Sequence, residues 1–203
     1  IGLHRLPRVL REYTQRYPQV DLDIRFMDSA EAYAAVHKGE SDLGIITQVE
    51  GIDSLLCSRT IWADKMHFVS ARQHPLSSLP SVSLKDLSSY QALLPERRFY
   101  TTKLVEALFM RDKLDLKINL STNFLETIKA LISAGYAWGV LPDTMLQDDT
   151  LSVLPVTDVD TGEPILLSRN LDCIYHQHRL MSNAGKAFFD LLCERADPLK
   201  TPT

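Results

Sequence analysis

From Leu6 to Thr47 the hydrophobic period switches from helical to alternating and back again, and that rhythm admits few folds. Leu6, Val9, Leu10, Tyr13 and Tyr17 share one helical face, Pro7 suits a first turn, and Pro18 stops the helix. Val20 to Phe26 then alternates apolar and charged residues strictly, which predicts a strand with one solvated face. Asp28, with Glu31 three residues on, predicts a helix start, and that helix runs through Ala32, Ala35 and Val36 to Gly39. Leu43 to Thr47 predicts a short buried strand. Helix, strand, helix, strand with short links is the grammar of a parallel sheet with helical crossovers. A strand normally feeds the first helix of such a unit, so one is expected upstream of Leu6.

The rest of the chain repeats the pattern. Leu55–Thr60 and Lys65–Ala71 predict two strands, and Leu76–Ser89, rich in Ser, Pro and Leu, a connector. Gln91–Pro95 predicts a strand, Thr102–Leu114 a helix and Leu116–Leu120 a strand. Asn123 with Glu126 gives a second cap signal, opening a helix that carries Leu125, Ile128, Leu131 and Ile132 to Gly135. Gly139–Pro142 and Leu151–Pro155 predict strands, Asp158–Glu163 a loop, Ile165–Leu167 and Leu171–Tyr175 strands, and Ala184–Arg195 a closing amphipathic helix. The order strand-helix-strand-helix-strand recurs before residue 70 and after residue 90. Two similar α/β lobes are therefore expected: 1–70 with 171–203 as the first, and 71–170 as the second.

Composition narrows the function classes. At 203 residues, 45% hydrophobic and 24% charged, a sizeable core needs no disulfide or metal staple. No apolar run approaches the roughly 18 residues of a membrane span, and no basic-then-apolar leader opens the chain. Cys57, Cys173 and Cys193 are odd in number and far apart, which points to buried thiols in a reducing, cytoplasmic setting. With 22 basic and 26 acidic residues the net charge is −4, so this stretch itself should not grip DNA.

Enzyme signatures do not emerge. There is no G-x-S-x-G elbow, no phosphate loop and no dinucleotide turn, and eight glycines leave little for phosphate cradles. His176 and His178 share a strand face but lack a third clustered ligand, so a strand end is the better reading and no metal or cofactor is expected. Glu31 and Glu126 read as helix-start residues rather than a catalytic pair.

In open parallel sheets ligands bind beyond the carboxyl ends of strands, beside helix N-termini. Those positions hold Asp28 and Ser29; Thr47 and Gln48; Arg97, Arg98, Tyr100, Thr101 and Thr102; and Ser121, Thr122 and Asn123. Hydroxyls, amides and two guanidiniums suit a small polar or anionic ligand, a carboxylate among the candidates. Singly, each Ser, Thr or Asn there also reads as a cap.

Over nearly its full length the chain resembles the regulatory domain of LysR-type transcriptional regulators. The resemblance runs through Leu6-Pro7-Arg8-Val9-Leu10, Tyr17-Pro18-Gln19-Val20-Asp21-Leu22, Gly39-Glu40-Ser41-Asp42-Leu43-Gly44-Ile45 and His74-Pro75-Leu76. It continues through Ile128 to Gly135, Gly139-Val140-Leu141-Pro142, and Leu180 to Phe188. It implies two Rossmann-like lobes joined by paired crossover strands, as in type 2 periplasmic solute-binding proteins, with crossings near Phe68–Arg72 and Leu167–Asp172. It implies an effector in the interlobe cleft touching Ser29 and Thr101, and homodimers or tetramers pairing the first helix with a neighbour's second lobe. A winged helix-turn-helix, carrying all DNA contact, and a strand with a Ser/Thr loop are implied upstream of Ile1. The chain departs from the family where Gly-Ser-Gly-Thr-Arg is common, reading Arg98-Phe99-Tyr100-Thr101-Thr102 instead. The alternatives are a solute-binding protein of a transport system, or a small dehydratase-like α/β enzyme, which would need an acid/base pair at these strand ends.

Overall fold

The computed structural model describes residues 5–49, 51–147 and 149–197. In chain order the helices are α1 (Leu6–Arg16), α2 (Ser29–Lys38), α3 (Leu84–Ser88), α4 (Tyr100–Arg111), α5 (Leu125–Ser133) and α6 (Asn183–Glu194). The strands are β1 (Leu43–Thr47), β2 (Leu56–Ala71), β3 (Ala92–Leu94), β4 (Ile118–Ser121), β5 (Trp138–Pro142), β6 (Leu151–Val153) and β7 (Leu167–His176). The chain divides into two compact units, one formed by the described residues up to Asp64 and from Arg169 onward, the other by Lys65–Ser168.

In the first unit β1 and β7 pair antiparallel, Leu43 opposite Tyr175 and Thr47 opposite Leu171. Strand alternation sends Leu43 and Ile45, with Leu171 and Cys173, to a core shared with α1 and α6 through Leu6, Val9, Tyr13, Leu191 and Leu192. The other face sends Ile46 and Ile174 against Val36 of α2. Packing at Gly44 is close, because a Cβ would stand 3.0 Å from Val36 Cγ2 and 3.2 Å from Ile174 Cγ1. Thus α1 and α2 cover opposite faces of this sheet.

In the second unit β3 lies parallel to both β4 and β5, and β2 runs antiparallel to β5 and β6. One face buries Trp138, Val140, Phe68 and Leu94 under Val105 and Phe109 of α4. The other buries Leu93, Leu141 and Val69 under Ile128 and Ile132 of α5.

Several expectations are corrected. Val20–Phe26 forms no strand, and among the described residues no backbone hydrogen bond reaches positions 21–27. A strand needs a ladder partner as well as an alternating sequence. The two strands expected at 55–60 and 65–71 are one uninterrupted strand, β2; the one expected at 171–175 lies within β7, which takes in only Leu167 of the strand expected at 165–167. The units divide inside these strands, at Asp64/Lys65 and Ser168/Arg169, ahead of the expected 70/71 and 170/171. Phe68 and Val69 already belong to second-unit cores, which moves the first border forward. The Leu76–Ser89 connector contains α3, opened by a capping box in which Ser83 Oγ accepts from Asp86 N and Asp86 Oδ2 from Ser83 N. Asp28 and Glu31 form the capping box expected of them. The signal at Asn123 was misleading: Phe124 takes the N-cap position of α5 with no side-chain cap, and Asn123 bonds Glu96 instead.

The cysteines are free, with Cys173 buried and Cys57 and Cys193 half-buried. Burial is the main cause that pushes the Cys173 thiol up to about 12 from 9.0. A raised thiol pKa means its neutral form favours the fold fully below about pH 9. As pH climbs toward 12 the unfolded state sheds this proton while the folded state keeps it, so stability falls by up to about 1.4 kcal/mol per pH unit. Native alkylation at pH 8 should spare Cys173, and urea unfolding at pH 9 and 10.5 should show a midpoint loss that shrinks in Cys173→Ala. An equal loss in both would remove the thiol as its source.

Candidate functional site

Each unit carries its own strand-end rim. In the first, Asp28 caps α2 by accepting from Ala30 N and Glu31 N, both at 2.9 Å, which leaves Ser29 as the first helical residue. Ser29 Oγ accepts from Thr47 N at 3.1 Å, tying the start of α2 to the end of β1. Its proton has no acceptor among the described residues, so this half-buried hydroxyl remains a donor. Gln48 is held twice by Asn170: Gln48 N donates to Asn170 O and Asn170 Nδ2 to Gln48 Oε1, both at 2.9 Å. Ser29, Thr47 and Gln48 are therefore brought together.

In the second unit the rim lies where β3 and β4 run into α4 and α5. Thr102 is fully buried and donates to Pro95 O at 2.7 Å, which makes it a loop staple. Thr101 is 6% exposed, yet among the described residues its hydroxyl has no hydrogen-bond partner. It stands in the first turn of α4, whose N-cap Phe99 offers no capping side chain, so the amides there also lack a side-chain acceptor. Asn123 clamps Glu96, with Nδ2 donating to Oε1 at 2.9 Å and Oδ1 accepting from Glu96 N at 3.3 Å. Thr122 Oγ1 accepts weakly from Phe124 N at 3.4 Å, and Ser121 is exposed at the end of β4.

The two arginines do not form an open anion fork. Arg97 pairs with Glu106 at 3.2 Å and Arg98 with Glu96 at 3.0 Å, and Arg98 also lies 4.8 Å from the Phe99 ring centre. Sequence reasoning missed the aromatic character of this rim, where Phe124 is 75% exposed and Tyr100 is 42% exposed. The exchange of small residues for Phe99 and Tyr100 was its only signal. His176 and His178 sit 6.4 Å apart between ring centres, and among the described residues no group of three or more His, Cys, Asp or Glu could hold a metal. No helix of the described residues is long and apolar enough to cross a membrane.

A family model described as the LysR substrate binding domain matches residues 1–197. The chain belongs to this family. Among curated proteins this LysR domain is 27% identical over 200 residues to the HTH-type transcriptional regulator YwqM of Bacillus subtilis, covering 93% of the chain and 63% of the relative. It thus spans less than two thirds of that relative's length. Among solved structures it resembles the CcmR regulatory domain of Synechocystis PCC6803 in complex with 2-PG, with TM-score 0.80, 23% identity, and coverage of 95% of this chain and 92% of that one. It also resembles the effector binding domain of QuiR in complex with shikimate, with TM-score 0.79, 20% identity, and coverage of 96% and 91%. These likenesses establish the type 2 periplasmic-binding-like α/β fold for the LysR domain.

Proposed function

We propose that this chain is the effector-sensing part of a LysR-type transcription regulator. It takes up a small polar or anionic metabolite, with Ser29, Thr47 and Gln48 as the candidate contacts of the first unit and Thr101 as that of the second. The observation that carries this reading is Thr101, whose hydroxyl bonds none of the described residues and stands in an uncapped first helical turn at the strand-end rim. A hydroxyl with no protein partner and helix-start amides with no side-chain cap are ready donors for an acceptor on a ligand. Support also comes from related domains in complex with 2-PG and shikimate, and from relatives that are regulators rather than transport proteins. Because Arg97 and Arg98 already face carboxylates, hydroxyls and helix-start amides would supply the main ligand contacts. The metabolite is bound and released unchanged, in the cytoplasm. DNA contact belongs to an N-terminal helix-turn-helix of the whole protein, which would work as a homodimer or tetramer. Sensing further requires that the metabolite prefer one conformation, since equal affinity for two shifts nothing.

A thermal-shift screen of metabolites tests this. A stabilising hit should bind about 3- to 10-fold more weakly to Ser29→Ala and to Thr101→Ala, the loss expected for one neutral hydrogen bond each. Undiminished affinity in both variants removes these residues from the site, and turnover of the hit by pure protein overturns the sensing role.

A further inference from the structure

Asp172 is a buried carboxylate, 5% exposed, and among the described residues no cation pairs with it. Its oxygens accept only from hydroxyls: Ser58 Oγ donates to Oδ2 at 2.6 Å and Thr60 Oγ1 to Oδ1 at 2.8 Å. Buried charges are ordinarily matched by an opposite charge, as Asp64 in the same unit is by Arg169. A carboxylate offers about four lone-pair sites, so each oxygen of Asp172 keeps room for a further donor.

Strand register places this carboxylate beside the first-unit rim. On β7 Asp172 stands opposite Ile46 of β1 and Leu171 opposite Thr47, while Asn170 bonds Gln48 through both backbone and side chain. Residues directly opposite share a face, and Ile46 packs on Val36 of α2. Gln48, Asn170 and Asp172, with Ser58 and Thr60 of the neighbouring β2, therefore form one polar strip on the α2 side of the sheet. It lies next to the start of α2, where Ser29 Oγ meets Thr47 N. Asn170 and Asp172 escape a search of strand ends because β7 runs antiparallel to β1 and carries them in its first half.

We infer, resting on the sensing role proposed above, that Asp172 is a ligand-binding residue of the first unit and selects a metabolite bearing a hydroxyl or ammonium donor. Asn170 Oδ1, which accepts from none of the described residues, adds a neutral acceptor beside it. Ser58 and Thr60 act as positioning residues, each holding one carboxylate oxygen. A carboxylate or phosphate with no donor of its own meets the Asp172 charge without compensation and is rejected here. The ligand class thus narrows from polar or anionic to hydroxylated or aminated.

The test is a chemical-shift titration of the 203-residue chain with propionate, lactate and L-alanine. These acids share one skeleton and differ at a single carbon, which carries no donor, a hydroxyl or an ammonium. Lactate, L-alanine or both should shift the amides of 46–48 and 170–172 with a dissociation constant about 10-fold below that of propionate, as for one hydrogen bond to a charged group. The better of the two identifies the donor. Asp172→Asn keeps the size and can still bond Ser58 and Thr60, so it should erase the preference while its urea midpoint stays near that of wild type. Three equal affinities, or no shift at these amides, overturn the inference whether or not the variant folds. A preference that survives in the folded variant overturns it too. The sensing role is decided apart from these results, by the metabolite screen and by Thr101→Ala in the second unit.

Discussion

Replacing Asp64 with alanine is expected to lower the unfolding free energy by about 3–5 kcal/mol, the range for removing one partner of a buried ion pair. The side chain of Asp64 is 4% exposed and that of Arg169 11%. Asp64 Oδ2 accepts from Arg169 Nε at 3.0 Å and from Nη2 at 2.8 Å, while Oδ1 lies 3.3 Å from Arg5 Nε. Without the carboxylate one guanidinium stays buried with no counter-charge, and a second loses its nearest anion. At roughly 2–4 °C per kcal/mol for a chain of this size, the melting temperature should fall by about ten degrees. Asp23→Ala is the control, because its bond to Arg25 at 2.6 Å joins two exposed side chains and such pairs contribute roughly 0–1 kcal/mol. Equal effects for the two variants would mean that burial does not govern the Asp64 pair.

Trp138→Ala should cost about 3–5 kcal/mol in the second unit. The indole is fully buried, stacks on Phe109 with ring centres 5.9 Å apart, meets Phe68 at 6.0 Å, and donates from Nε1 to Leu87 O at 3.0 Å. Truncation opens a cavity and removes one hydrogen bond from the Leu87 carbonyl, which keeps its bond from Tyr90 N, whereas Trp138→Phe refills most of the volume and loses only the indole hydrogen bond. Denaturant midpoints should therefore rank wild type, then Phe, then Ala. A Phe variant as unstable as the Ala variant would put the hydrogen bond ahead of ring packing.

How far the sequence could be read depended on whether a signal was local. Helix α1 and the Asp28–Glu31 box were legible because spacing and capping act within one turn. Positions 20–26 carry a strand pattern just as clear, yet pairing depends on a neighbour that is remote in sequence. Asn123 shows the same limit: its local cap signal lost to Glu96, which only the parallel alignment of β3 and β4 brings near. At the rims, Ser29 and Thr101 could be named from strand-end logic and the family resemblance. That Thr102 is spent on Pro95 O, and that both arginines are matched by Glu96 and Glu106, follows from loop geometry that no spacing rule encodes.

Amide exchange of the chain with and without the metabolite that raises its melting temperature most is the most direct test of sensing at these two helix starts. Slowed exchange at 28–31 and 47–48 in one unit, together with 99–103 in the other, is the predicted result. Slowing that spares all three segments would contradict it.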